Sequence, residues 1–213
     1  HPLGQEQTVP LNRDQAHYLF GVMRLGVGDA VLLFNGRDGE WRGNVTEASK
    51  RGGALQIAEQ TRDLQMPPDL WLLFAPIKKA RTDFIVEKAA EMGAARILPV
   101  QTEFTNSDRI RQDRLQAHAV EAAEQCGATF VPEVAEMTRL DRLLADWDDS
   151  RQILFCDETA AGAPTALDGL SPGPWAVLIG PEGGFSDRDR AQRRLQEAIE
   201  AIESAICVFD ENE

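Results

Sequence analysis

Hydrophobic positions along the chain follow different patterns before and after residues 66–69. Before them, an apolar run at 31–34 and two further short strand-like stretches at 40–45 and 54–58 are separated by turns that contain glycine. Strands at this spacing predict a small β-barrel or sandwich. A helix over 13–23, capped by Asn12, is expected to precede them.

The segment Met66-Pro67-Pro68-Asp69 is the best candidate for a linker, because proline continues neither a helix nor a central strand. We therefore predict domains at 1–66 and 69–213. In the second, apolar strand-like runs alternate with helical stretches. The predicted strands are 70–75, 96–100, 130–134, 152–156 and 175–179, and the predicted helices are 81–92, 111–125 and 140–147. This alternation predicts an α/β fold, a parallel sheet with helices on both faces.

Composition narrows the class of protein. Hydrophobic residues make up 43% and charged residues 27%, as in ordinary globular chains. No apolar run is long enough to span a bilayer and no signal peptide is visible, so we expect a cytoplasmic protein without a membrane partner. The three cysteines have no metal-ligand spacing, and Cys126 and Cys156 are expected to be small buried residues. With only three histidines as well, no metal site is predicted.

The net charge of −13 argues against nucleic acid only if it is taken as a whole. The last 17 residues contain six acids and no base, whereas residues 1–66 carry seven bases against eight acids. A local basic face can still bind RNA. Lys78, Lys79 and Arg81 follow the first strand of the α/β part and are our preferred basic group. The charge-balanced run at 108–114 is more typical of a solvated surface.

The most unusual segment is Gly180-Pro181-Glu182-Gly183-Gly184-Phe185-Ser186, directly after a predicted strand. Ligands of open α/β sheets bind beyond the carboxyl ends of strands, and glycines let the backbone approach a ligand closely. The segment is neither a Walker A loop nor GxGxxG. A tight turn without a ligand is the alternative. Ser186 is expected to cap a following helix.

Several motifs, in register over about residues 10–190, resemble the RsmE family. They are Lys88-Ala-Ala-Glu91-Met-Gly93, Pro99-Val-Gln-Thr102-Glu103, Glu121-Ala-Ala-Glu124-Gln125-Cys126-Gly127, Val131-Pro132, Leu178 to Ser186 and, near the N-terminus, His17 to Asp29. The resemblance implies an S-adenosylmethionine-dependent methyltransferase of the SPOUT class, acting on uridine N3 of 16S ribosomal RNA. It also implies a trefoil-knotted α/β domain, a PUA-like β-barrel that binds RNA at 1–66, and a homodimer with ribosomal RNA, within the small subunit, as its partner.

The resemblance further assigns site residues. It implies that two loops and the strand end between them hold the cofactor. These residues are Phe155, Cys156, Glu158, Leu178, Ile179, Gly180, Pro181, Glu182, Gly183 and Gly184. RNA contacts are expected from Arg24, Lys78, Lys79 and Arg81. Glu182 and Arg81 are the expected catalytic residues. Glu182 or Glu158 would take the N3 proton, and the cations would stabilise the uridine anion.

The C-terminal part departs from the family. A Gly-x-Arg-Ile-Leu-Arg-x-Glu-Thr-Ala motif expected there is replaced at 195–213 by an Ala/Ile/Glu stretch, and Ala128 stands where an Arg is usual. Either residues are absent from this part of the chain or the protein has lost part of its site. Two alternative functions also stay open. One is a catalytically inactive RNA-binding protein that has lost the knot segment, and the other is a small-molecule α/β transferase.

Overall fold

The structure, a computed structural model, describes residues 1–107, 109–160 and 171–193. Its internal contacts divide the chain into two compact units. The first comprises 1–66 together with 123–131, and the second comprises 67–122 together with 132–213.

The first unit is built on an antiparallel sheet with the strand order β1-β4-β3-β2. Its strands are β1 (Thr8–Leu11), β2 (Ala30–Phe34), β3 (Glu40–Ala48) and β4 (Gly53–Arg62). A short helix, α1 (Arg13–Ala16), continues as a π-helical segment, His17–Val22. Alternate strand residues and Ala16 form the core of the unit, which comprises Val9, Leu11, Ala16, Val45, Leu55 and Ile57. The predicted β-rich module is confirmed.

The predicted helix over 13–23 begins where the sequence indicates. The Asn12 side chain accepts a hydrogen bond from the Gln15 amide, and the Gln15 side chain accepts one from Asn12 in return, forming a capping box. The change to π-helical hydrogen bonding at His17 was not predicted. Strand β1 was also missed, although Val9 and Leu11 are buried and their neighbours exposed. That alternation covers only four residues, too few to stand out in a sequence.

The second unit alternates strands and helices as predicted. Its elements are β5 (Leu70–Phe74), α2 (Lys79–Glu91), β6 (Arg96–Gln101), α3 (Gln112–Cys126), β7 (Glu133–Val134), β8 (Thr138–Arg139), α4 (Leu140–Ala145), β9 (Gln152–Cys156) and β10 (Trp175–Ile179). All strand pairs are parallel, in the order β7-β6-β5-β10-β9, and β8 pairs with β6. The predicted α/β class is confirmed.

The strand order creates a switch point between β5 and β10. From β5 the chain moves outward to β6, whereas β10 returns to the other side of β5 and separates it from β9. Loops that leave adjacent strands on opposite sides of a switch point diverge, and the crevice between them is where ligands of open sheets bind. The loops after β5 and β10 therefore meet at the place where a site is expected.

Arg151 lies at the amino-terminal ends of the central strands, opposite the ends where the loops after β5 and β10 begin. It is buried, its guanidinium lies 3.8 Å from the centre of the Trp71 ring, and it donates to the backbone oxygens of Asp69 and Trp175. The Asp69 carboxylate accepts a further hydrogen bond of 3.0 Å. A buried guanidinium needs this many partners to offset its desolvation. The contacts join the starts of β5 and β10.

Two expectations need correction, and one strand was not predicted. Cys126 and Cys156 are exposed rather than buried, because each ends its helix or strand instead of lying within it. The strand expected at 130–134 is restricted to Glu133–Val134, since Phe130 pairs with Gly36 in the first unit. The pair Thr138–Arg139 forms a strand that no periodicity could indicate.

Among the described residues, no helix combines the length and apolar character needed to cross a bilayer. The same residues contain no group of three or more His, Cys, Asp or Glu side chains placed to hold a metal ion. Cys207 and the tail at 195–213 lie outside the described residues.

Replacing Leu73 with Ala should lower the free energy of unfolding of the second unit by about 2–5 kcal/mol. Leu73 is fully buried in the cluster that also contains Leu98, Leu178 and Phe185, so its truncation leaves a cavity. Urea denaturation followed by tryptophan fluorescence measures the change. Met92→Ala is the matched control, because Met92 is 85% exposed and its truncation leaves no cavity. Equal midpoints for the two variants would contradict the assignment of Leu73 to the core.

Candidate functional site

The loop that follows β10 can adopt its shape because two of its residues, Gly180 and Gly184, are glycines. A Cβ on Gly180 would lie 2.8 Å from the Phe185 ring, and a Cβ on Gly184 would overlap the Glu158 carboxylate. Gly184 also has a φ of +72°, a conformation that residues with a Cβ rarely adopt. Phe185 is buried beneath the loop and packs against Phe155, with ring centroids 4.4 Å apart. The tight packing around Gly180 and Gly184 explains why glycines occupy these positions.

A capped helix begins directly after the glycine loop. The Ser186 hydroxyl accepts a hydrogen bond from the Asp189 amide, and the buried Asp189 carboxylate accepts from the Ser186 amide and hydroxyl at 3.0 and 2.8 Å. This is a reciprocal cap with Asp in the place of the usual Glu. The predicted cap at Ser186 is confirmed, and helical residues follow from 187 to 193.

The loop after β9 carries an ion pair that the sequence analysis missed. Arg190 donates to both carboxylate oxygens of Asp157, at 2.9 and 3.2 Å, and lies 3.5 Å from Glu158. The Arg190 guanidinium, helped by hydrogen bonds from Thr159 and opposed by burial, lowers the pKa of Asp157 from 3.8 to about 2. Asp157 and Arg190 are 33 residues apart, so no local pattern in the sequence could pair them.

The loop after β5 brings basic residues to the glycine loop. The Ala75 amide donates to the Ile179 oxygen at 3.0 Å, which ties the two strand ends together. The Thr82 hydroxyl then exchanges hydrogen bonds with the amide and oxygen of Ile77, fixing the turn before α2. Lys78 and Lys79 therefore lie at the switch point.

A cavity of about 290 Å³ opens between these two loops. It is lined by Pro76, Ile77, Lys78, Lys79, Asn106, Ser107, Pro181 and Glu182. Arg81 stands beside it and forms an ion pair with Glu182. Both predicted catalytic side chains are exposed, and the structure brings them into direct contact.

The remaining predicted residues fall into distinct positions. Glu158 is exposed beside Gly184, whereas the Leu178 side chain is fully buried in the core and offers only its backbone to a ligand. Ile179 is exposed at the strand end, next to Cys156 in the register of β10 and β9. Although Cys156 is exposed as a residue, desolvation of its thiol raises the pKa of that group above its usual value. Arg24 lies in the first unit with a φ of +60°.

The chemistry of this edge is divided by charge. Acidic groups of Asp157 and Glu158 follow β9 on one side of β10, and ammonium groups of Lys78 and Lys79 follow β5 on the other. In the glycine loop between them, Gly183 is exposed, whereas Gly184 is buried. Such an edge suits a small ligand held by backbone groups beside a partner that carries negative charge.

Comparisons with known proteins agree with this geometry. A family model described as an RNA methyltransferase domain matches residues 65–202, and one described as an RNA methyltransferase PUA domain matches residues 11–57. The ribosomal RNA small subunit methyltransferase E of Rickettsia conorii is 26% identical, over 87% of this chain and 77% of its own length.

Two solved structures share the fold. The structure of a ribosomal RNA small subunit methyltransferase E from Neisseria gonorrhoeae bound to S-adenosyl methionine superposes with a TM-score of 0.80 at 24% identity, covering 92% of this chain and 84% of that one. A structure from Legionella pneumophila with the bound cofactor SAM gives a TM-score of 0.81 at 25% identity, over 92% and 83%.

Substituting Gln for Arg190 should raise the pKa of Asp157 from about 2 towards 3.8, because the guanidinium is the main cause of the depression. Since the folded-state pKa is the lower one, the ion pair stabilises the fold above about pH 4, and this stability is lost as the pH falls to about 2. Carboxyl NMR titration measures the shift.

Arg188→Gln is the matched control for this titration. Arg188 is exposed, and among the described residues its one ion pair is with Asp141, at 4.0 Å. An Asp157 titration that is the same in both variants would show that Arg190 does not hold this carboxylate.

Proposed function

The chain belongs to the RNA methyltransferase family, and from this premise we propose that it is an S-adenosylmethionine-dependent enzyme that methylates N3 of a uridine in small-subunit ribosomal RNA. The observation that carries the proposal is the glycine loop at the switch point of the parallel sheet, with acids on one side and lysines on the other. We expect the reaction to take place in the cytoplasm, with the chain as a homodimer that acts on RNA of the small ribosomal subunit.

The residues around the glycine loop fit S-adenosylmethionine. The cofactor carries positive charge on its sulfonium and ammonium groups, and the exposed Glu158 carboxylate lies where a side chain on Gly184 would otherwise be. Gly183 is exposed, with no atom nearer than 3.8 Å to the position of a Cβ, so its backbone is open to a ligand. When bound, the cofactor supplies an electrophilic methyl group.

We propose that the loops after β9 and β10 bind the cofactor and that a contact between two aromatic rings supports the second loop. Glu158 and the backbone of 180–184 would contact it, while Phe155 supports the loop from below through Phe185. Leu178 and Ile179 place the start of the loop, and Cys156 ends the neighbouring strand beside it. The knot implied by the family resemblance involves the C-terminal tail and stays a prediction.

The target uridine has to be unpaired or flipped, because N3 of a paired base is inaccessible. Lys78 and Lys79 line the cavity beside Glu182, where their ammonium groups would attract the phosphates of the RNA and stabilise the uridine anion. Arg24 in the first unit would add a phosphate contact of its own. Holding N3 in line with the methyl group supplies much of the rate enhancement.

N3 of uridine carries a weakly acidic proton that has to leave before or during methyl transfer. We assign its removal to the Glu182 carboxylate, which lines the cavity and is held in place by the Arg81 guanidinium. Asp157 and Glu158 are also at this edge, but Asp157 is held by Arg190 and the oxygens of Glu158 face Gly184 and Arg190. Arg81 acts through Glu182 by fixing the direction of its oxygens.

The full chain should bind S-adenosylmethionine in calorimetry and convert uridine to 3-methyluridine in small-subunit ribosomal RNA, read by mass spectrometry of the nucleosides. Gly184→Ala should weaken cofactor binding by tenfold or more, roughly the effect of losing one buried contact. Its Cβ would displace Glu158 and strain a residue with positive φ. Gly127→Ala is the control, because Gly127 has a similar φ of +67° but open space around it.

RNA binding without cofactor binding would instead favour a catalytically inactive RNA-binding protein. Methylation of free nucleosides in the absence of RNA would favour a small-molecule transferase. A methylated base other than 3-methyluridine would overturn the proposed target atom and leave the family assignment intact.

Glu182→Gln should lower kcat about 100-fold or more, a typical loss for a general base, and change the affinity for S-adenosylmethionine much less. Single-turnover kinetics with calorimetry on the same preparation separate the two effects. Glu158→Gln is the comparison, and it should act mainly on cofactor affinity. The opposite result, with kcat lost only in Glu158→Gln, would move the proton acceptor to Glu158.

A further inference from the structure

A second cavity, of about 300 Å³, lies on the α2 side of the site, and most of its charged side chains are basic. It is lined by Lys79, Thr82, Asp83, Ser107, Arg109, Ile110, Arg111, Arg114 and Leu115. Four of these side chains are cationic and only Asp83 is anionic. The run at 108–114 contains three arginines and two aspartates, and all three arginines line this cavity together with Lys79 of α2.

Arg114 is fixed in the wall of this cavity. Its guanidinium donates to the carboxylate of Asp83, which is only 8% exposed and also lies 3.8 Å from Nε2 of His118. Arg111 is held by its neighbour Asp113, at 2.6 Å. These two arginines are thus oriented by their carboxylate partners, which also partly neutralise their positive charge.

Lys79 and Arg109 are not neutralised in this way. Within the described residues, neither forms an ion pair. Their charges face the cavity without a carboxylate partner, so an incoming anion would meet them directly. The free-energy cost of removing such an anion from water would be offset by its attraction to these two cations and to the oriented Arg114.

The two cavities adjoin. Lys79 and Ser107 line both of them, and the first cavity ends at Pro181 and Glu182 of the glycine loop. Taken together, the two cavities extend from the proposed methylation site to Arg109 and Arg114, with Lys79 of α2 between them. We call this the basic groove.

We propose that the basic groove binds the sugar-phosphate backbone of the RNA strand next to the target uridine, with Lys79 and Arg109 as its phosphate contacts. This rests on the proposed function, since it supplies the RNA and the reacting edge. The groove would hold a single strand, because the target base has to leave its helix and its neighbours are then unpaired too. Asp83 is a positioning residue that directs Arg114 into the groove.

The test measures the affinity of the full chain for small-subunit ribosomal RNA transcribed in vitro, at several salt concentrations. Each phosphate contact on a single strand contributes about 0.7 to the slope of log K against log salt, which corresponds to roughly fourfold in affinity at 0.15 M. Lys79→Gln and Arg109→Gln should each lose about this much. Arg109→Lys keeps the charge and should retain most of the slope.

Arg142→Gln is the matched control, since it removes the same charge from α4, which does not line the groove. Melting temperature and S-adenosylmethionine affinity are measured for every variant. Slopes in Lys79→Gln and Arg109→Gln that equal the slope of Arg142→Gln would overturn the groove. A loss of cofactor affinity in place of RNA affinity would also overturn it, by assigning the cations to the cofactor carboxylate.

The binding measurement does not depend on methyl transfer. If the chain forms no 3-methyluridine but the two variants lose slope, the proposed function fails and the groove stands. If methylation occurs and the slopes stay unchanged, the groove fails and the proposed function stands. A chain that does not bind this RNA at all contradicts both.

Discussion

The turn after β10 depends on the absence of side chains at Gly180 and Gly184. Phe185 occupies the space beside Gly180, and the Glu158 carboxylate occupies the space beside Gly184. A methyl group at either place would have to move an aromatic ring of the core or a charged group of the neighbouring loop. Phe185 and Glu158 therefore occupy the space beside these two glycines. The backbone at Gly183 has no such neighbour and is the part of the loop that a ligand can approach. The cap at Ser186 and the helix after it follow from the same turn.

The strand order gives this turn neighbours of opposite charge. Since β10 lies between β9 and β5, its loop has Asp157 and Glu158 on one side and Lys78 and Lys79 on the other. A cationic methyl donor and a polyanionic RNA prefer opposite sides of such a loop, and they would meet over its glycines. The net charge of −13 therefore says little about this protein's ligands. What matters is the separation of charge across one strand, which a sum over the chain conceals.

Sequence patterns were sufficient for most elements of five residues or more, and they also placed the glycine-rich segment directly after a strand, where the structure has it. A continuous apolar run such as Leu70–Phe74 is recognisable as a strand from the sequence. The density of glycines at 180–184 is likewise visible without a structure. Short strands such as β8, the π-helical turn at His17 and the exposure of Cys156 depend on contacts that no local period encodes. Asp157 and Arg190 meet only because β9 and the helix after β10 are neighbours in space. The arginines of the run at 108–114 line one cavity together with Lys79, and this placement also depends on neighbours in space that the order of residues does not encode.

The first turn of the helix at 187–193 explains how the loops keep their positions. On one side the Asp189 carboxylate accepts the Glu103 amide, from the loop after β6, at 3.4 Å. On the other side Arg190 holds Asp157, from the loop after β9. The helix is itself joined to the glycine loop through its cap at Ser186. Loops are usually the mobile parts of a fold, but here three of them are tied to one helical turn. These contacts fix the three loops relative to one another, and a ligand that binds between fixed loops loses less conformational entropy than one that has to order them.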